Sequence, residues 1–127
     1  MPAPVQLVED VTHLRECRFD ATIVEEHPRY YVVIANFELP AFYAPNVTDL
    51  MMMADYQYPM SALDMFWTCP HVRRADNGAY PLNAEQLEQH IQRTWQRWSW
   101  HYGGWNPAHH NVTTHLEVFF NRLAQAA

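Results

Sequence analysis

Cys69 and His71 stand two residues apart in Asp64-Met65-Phe66-Trp67-Thr68-Cys69-Pro70-His71-Val72. A thiol beside an imidazole suits acyl transfer. The sulfur is nucleophilic near neutral pH, and the ring can act as base or as donor to an oxyanion. The aromatic run before Cys69 reads as a buried strand, so the thiol falls just past a strand end, where a rigid scaffold holds an accessible loop. His101, ahead of Gly103-Gly104, is a third candidate for the same cleft. Each has a structural alternative. Cys69 also reads as a packed thiol, His71 as a turn residue bonding backbone groups, and His101 as a helix C-cap that suits the dipole.

Two other sets of residues carry less. Cys17 lies near Arg15 and Arg18, far in sequence from this segment, and reads as structural. The eight His invite a metal reading. However, His109, His110 and His115 scatter around a helix, and no Cys-x-x-Cys exists. No metal and no cofactor are expected.

The elements that must position these groups follow from periodicity. Leu7, Val8, Val11 and Leu14 recur at helical spacing after Pro4, so 5–16 reads as a short helix. The runs 21–25 and 30–35 flank Glu26-His27-Pro28-Arg29 as a hairpin. Residues 46–53 and 64–68 read as two more strands, which completes an antiparallel meander. Asn83, with Gln86 three residues on, reads as an N-cap and capping box. Leu87, Ile91, Trp95 and Trp98 then repeat at four and three residues, which predicts a helix over 84–101, ended by Gly103-Gly104. Trp100 falls off that stripe and is expected to be exposed, as a partner anchor. Asn106 and Pro107 start a last helix over 107–125, with Val112, Leu116, Phe119, Phe120 and Leu123 on its core face. The sequence therefore predicts one α+β domain over residues 1–127: a short N-terminal helix, a four-stranded antiparallel meander, an active-site loop and two C-terminal helices.

Composition narrows the function. The 127 residues are 49% hydrophobic and 17% charged, which argues for a folded chain. A net charge of −6 with no basic stripe argues against nucleic acid. No apolar run approaches the ~20 residues that span a bilayer. No secretory signal is visible after Met1-Pro2-Ala3-Pro4-Val5, so a cytoplasmic protein with free thiols is expected. All eight basic residues are Arg and none is Lys. Codon bias accounts for that, and so does avoidance of nucleophilic amines by an enzyme that handles activated acyl groups.

The marker residues, in this order, resemble the ubiquitin-conjugating enzyme (UBC) superfamily over roughly 30–125. Tyr58-Pro59 matches its Tyr-Pro turn. Cys69-Pro70-His71 occupies the slot of its His-Pro-Asn motif, and Asn77-Gly78 matches the loop glycine. Trp105-Asn106-Pro107-Ala108, with Leu116 and Phe119-Phe120, matches a later helix that opens with Trp-Ser-Pro. Leu39-Pro40, Thr48-Asp49, Asp64-Met65-Phe66 and 95–101 are similar to the bacterial branch. That resemblance implies a UBC-like fold, a ThiF-type activating enzyme and a ubiquitin-like protein as partners, and an antiphage setting that includes JAB-type peptidases.

The chain departs from the family where the chemistry sits. The family nucleophile follows the loop glycine by three residues, and that position is Pro81. The family's oxyanion-stabilising Asn aligns with His71, and its His with Cys69. Three readings remain. The first is a conjugating-enzyme-like protein with Cys69 as nucleophile and His71 and His101 as base or oxyanion groups. The second is a non-catalytic adaptor that docks the activating enzyme or ubiquitin-like protein. The third is a His-dependent hydrolase.

Overall fold

The computed structural model describes residues 2–101 and 103–125. Helix α1 (Val5–Glu16) turns Leu7, Val11 and Leu14 inward. Strands β1 (Asp20–Glu26) and β2 (Arg29–Glu38) form the expected hairpin around His27-Pro28. A two-residue strand β3 (Tyr43–Ala44) precedes β4 (Val47–Asp55), which pairs antiparallel to β2. Strand β5 (Phe66–Cys69) returns along β4, with Asp49 opposite Cys69 and Met51 opposite Trp67. Strand β6 (Arg73–Arg74) pairs with β3. Strands β7 (Gln86–His90) and β8 (Arg93–Trp98) follow, and helix α2 (Val112–Gln125) closes the chain. The main sheet has six antiparallel strands in the order β1-β2-β4-β5-β8-β7. The class is α+β, as expected.

The helix expected over 84–101 is instead the β7–β8 hairpin, so the described residues form two helices where three are expected. Ile91 and Gln92 both take positive φ (44° and 64°) and make a two-residue turn. Such turns usually carry Asn-Gly, so this one was hidden. The four-and-three spacing of the apolar residues is coincidental: Trp95 and Trp98 lie on opposite faces of a strand. Strand β8 pairs with β5 on one side and β7 on the other. That long-range pairing outweighs local helix preference. Asn83 caps no helix; it takes φ 58°, and its carbonyl accepts the Ser99 N–H at 2.9 Å.

Three smaller expectations also change. Trp100 is buried, because the segment around it is not helical; its indole donates to the Leu82 carbonyl at 2.7 Å. The last helix begins at Val112, not 107. Asn111 caps it: its side chain accepts the Thr114 N–H at 3.0 Å, and its own N–H donates back to the Thr114 hydroxyl at 2.9 Å. Phe119 is buried, but Phe120 is 51% exposed, since one residue is a turn of about 100° around the helix.

Alternation along the strands makes two cores. One face carries Val32, Ile34, Leu50, Met52, Phe66 and Trp98 and packs under both helices. The other gathers Tyr31, Met51, Trp67 and Trp95, with no helix over them among the described residues. Tyr58 joins the helices. Its buried hydroxyl donates to Asp10 of α1 at 2.5 Å and accepts the Val112 N–H of α2 at 3.0 Å. Burial and the Asp10 carboxylate push that phenol far above its ordinary pKa.

Candidate active site at the end of strand β5

The Cys-Pro-His turn stands on a buried polar platform. Thr68, fully buried in β5, donates to the Gln96 side-chain oxygen at 2.9 Å and accepts the Trp98 indole N–H at 2.8 Å. The Gln96 oxygen also accepts the Val72 N–H at 2.7 Å. Its amide nitrogen donates to the carbonyls of Val72 and Ala84, both at 2.8 Å. Thr48 of β4 donates to the Pro70 carbonyl at 3.2 Å. Both ends of the turn are therefore fixed to neighbouring strands. The amide of Gln96 spends all its hydrogen-bonding capacity doing so.

Cys69 is half-buried on the face without helices, against the Met51, Trp67 and Trp95 cluster. Arg93, from the start of β8, reaches the same thiol. That guanidinium donates to the Asp49 carboxylate at 3.0 Å and stacks 4.6 Å from the centre of the Trp95 ring. Burial pulls the Arg93 pKa down, but its bonds to Asp49 and Cys69 more than offset this and hold it above the ordinary value. Asp49 in turn accepts the Asn36 N–H at 3.0 Å, at the bulge of β2. A thiol, a guanidinium and a carboxylate thus meet on three strands. A fixed cation beside a nucleophilic sulfur is suited to hold the oxyanion of acyl transfer.

Arg93 and Asp49 were not anticipated, because the helix reading left no sheet for Arg93 to cross. The one available signal was the Thr48-Asp49 dipeptide, an acidic residue directly before the apolar run 50–54.

The anticipated residues separate. His71 follows Cys69 by two residues and is half-buried in the same turn. His101 is exposed at the opposite end of β5, where its Nδ1 lies 2.9 and 3.0 Å from the two carboxylate oxygens of Asp64. Roughly 10 Å of strand lies between Phe66 and Cys69, so Cys69 and His101 are not brought together. Pro81 is buried. The loop before it is held by its own contacts: Arg73 donates to the Gly78 carbonyl at 3.2 Å and to the Tyr80 hydroxyl at 3.1 Å. Gly78 takes φ 72°, a conformation that favours glycine. Among the described residues, no helix is long and apolar enough to cross a membrane.

A sequence model of the family described as prokaryotic E2 family E matches residues 6–126. No curated protein and no solved structure matches the chain.

Proposed function

The chain belongs to prokaryotic E2 family E, and from that premise we propose that it receives the C-terminus of a ubiquitin-like protein from a ThiF-type activating enzyme. It does so as a single conjugating-enzyme-like domain over residues 1–127, in the cytoplasm of a bacterium and in an antiphage pathway. Cys69 is the acceptor. The observation that carries this is the placement of Arg93 and Asp49 around a half-buried Cys69, while Pro81 fills the family's usual nucleophile position.

In the transfer, the Cys69 thiol gives its proton to His71 and its sulfur attacks the carbonyl of the incoming thioester. Arg93 faces the oxyanion that forms. The carbon–sulfur bond to the activating enzyme breaks, and the departing thiolate takes up a proton. A non-reducing gel of the chain with activating enzyme, ubiquitin-like protein and ATP tests this. A thiol-sensitive adduct is expected, and Cys69→Ala abolishes it. An adduct that survives Cys69→Ala assigns the acceptor elsewhere.

The buried Pro81 favours a second reading, a non-catalytic adaptor that docks the same partners. It predicts co-elution with the activating enzyme or ubiquitin-like protein and no adduct at any cysteine.

A further inference from the structure

Beside α2 the sheet is unfinished. The β1–β2 ladder ends at Asp20 opposite Ala35, yet β2 runs on to Glu38. Past it, Phe37 and Glu38 pair with β4, opposite Thr48 and Val47, while Asn36 sits in the bulge at φ 54° with its N–H on Asp49. On the β1 side this stretch of strand edge opens into a groove of about 880 Å³. Phe19, Ile34, Phe37, Leu116 and Phe120 line it. Phe37 is the hub, with ring centres 6.4 Å from Phe19 and 6.5 Å from Phe120. Half of Phe120 is open to solvent. The rim is acidic: Asp20, Glu38 and Glu117 are all exposed, against one Arg, Arg18.

We propose that this groove docks an extended segment of a partner protein, apolar at its centre and flanked by basic residues, which pairs with the short β2 edge at 37–38. Three features specify that occupant. An open strand edge supplies main-chain pairing, and so selects an extended backbone. The aromatic floor takes alternate apolar side chains, the usual source of anchor energy in such sites. The three carboxylates attract basic flanks and repel acidic ones. The groove lies on the helix-covered face and shares no lining residue with Cys69 or Arg93, so the proposal stands independently of the acyl-transfer reading.

The probe is a fluorescein-labelled acetyl-RLFLR-amide peptide titrated with the full chain, with ELFLE and a backbone N-methylated RLFLR as controls. RLFLR is expected to bind at least about tenfold tighter than either control, and to weaken as NaCl rises from about 50 to about 500 mM. Phe120→Asp and Glu117→Arg, both at exposed positions, should each weaken it, the first by about tenfold or more. Equal binding of ELFLE, or no change with Phe120→Asp and Glu117→Arg, overturns the proposal. A dimer in sedimentation that Phe120→Asp dissolves also overturns it, since the occupant is then a second copy of the chain.

Discussion

Tyr31 and His90 touch, with the phenol oxygen 3.3 Å from the imidazole Nδ1, although β2 and β7 stand four places apart in the sheet. In a flat sheet those strands would be about 19 Å apart. The sheet is therefore rolled, and the β7–β8 hairpin folds back over the face that carries no helix. Glu88 fastens it. Its carboxylate accepts from the Trp67 indole at 2.9 Å, from Arg97 at 2.7 Å, and lies 2.9 Å from His90 Nε2. Burial raises the Glu88 pKa, but these bonds bring it below the ordinary carboxylate value. The same roll carries Arg93 across β5 to Asp49, so the candidate site depends on the hairpin.

That dependence gives a first prediction at the turn. Exposed Gln92 sits at φ 64°, where an L side chain is strained and glycine is not. Gln92→Gly should therefore stabilise the chain by about 0.5–1 kcal/mol. The thermal midpoint should rise by a few degrees. A fall would mean that the turn is not left-handed in solution.

The Gln96 platform gives a second. Replacement by Ala leaves the Val72 N–H and the carbonyls of Val72 and Ala84 without partners in a buried site. Each such group costs about 1–3 kcal/mol, so Gln96→Ala should lose about 3 kcal/mol or more in denaturant unfolding. Gln96→Glu should also destabilise, because its added oxygen faces two carbonyls. A loss below about 1 kcal/mol would show that water replaces the amide and that the turn is held less tightly than the geometry indicates.

His115 makes stability depend on pH. It is fully buried, stacks 4.3 Å from Phe66, and its Nε2–H donates to the Met65 carbonyl at 3.0 Å. Burial pushes its pKa down from 6.5 to about 4. Between those values the unfolded chain binds a proton that the folded chain refuses, so stability falls as pH drops from 6.5 toward 4. It is fully present above 6.5. The loss is on the order of 3 kcal/mol. Denaturant unfolding across that range should show a steeper pH dependence for the wild type than for His115→Gln. Equal slopes would place the titration on other groups.

What the sequence made legible, and what it did not, has one physical origin. Helix α1, the β1–β2 hairpin, β4 and β5 are local patterns: Leu7, Val11 and Leu14 repeat along one helix face, and a Pro turn joins two β-branched runs. The placement of Cys69 at a strand end beside His71 is legible because it lies within nine residues. The β7–β8 hairpin was misread because its turn residues, Ile91-Gln92, carry no turn signature and its strand status comes from β5, far away in sequence. Arg93, Asp49 and Gln96 were missed for that reason: each acts across strands, and no spacing rule relates position 49 to 93. His101 is expected near Cys69 as the end of a helix that does not form, and the sheet delivers it to Asp64.

Arg93 separates the two functional readings. If Cys69 accepts the ubiquitin-like C-terminus, Arg93→Ala removes the cation that faces the oxyanion, while Cys69 remains. Removal of one such donor costs about 100- to 1,000-fold in rate in well-defined acyl-transfer sites. Arg93 is partly exposed, so a drop of about tenfold or more in the rate of adduct formation is the expected outcome. Its partly exposed pair with Asp49 contributes little to stability, so the thermal midpoint should change little. Arg93→Lys should recover part of the rate, because the charge is kept but the planar guanidinium is lost. His101→Ala should leave the rate unchanged, since His101 lies at the other end of β5. An adaptor behaves differently: Arg93→Ala and Cys69→Ala would both leave partner binding intact, and no thiol-sensitive adduct would form with any variant. Single-turnover gels across these four variants, with binding measured in parallel, decide between them.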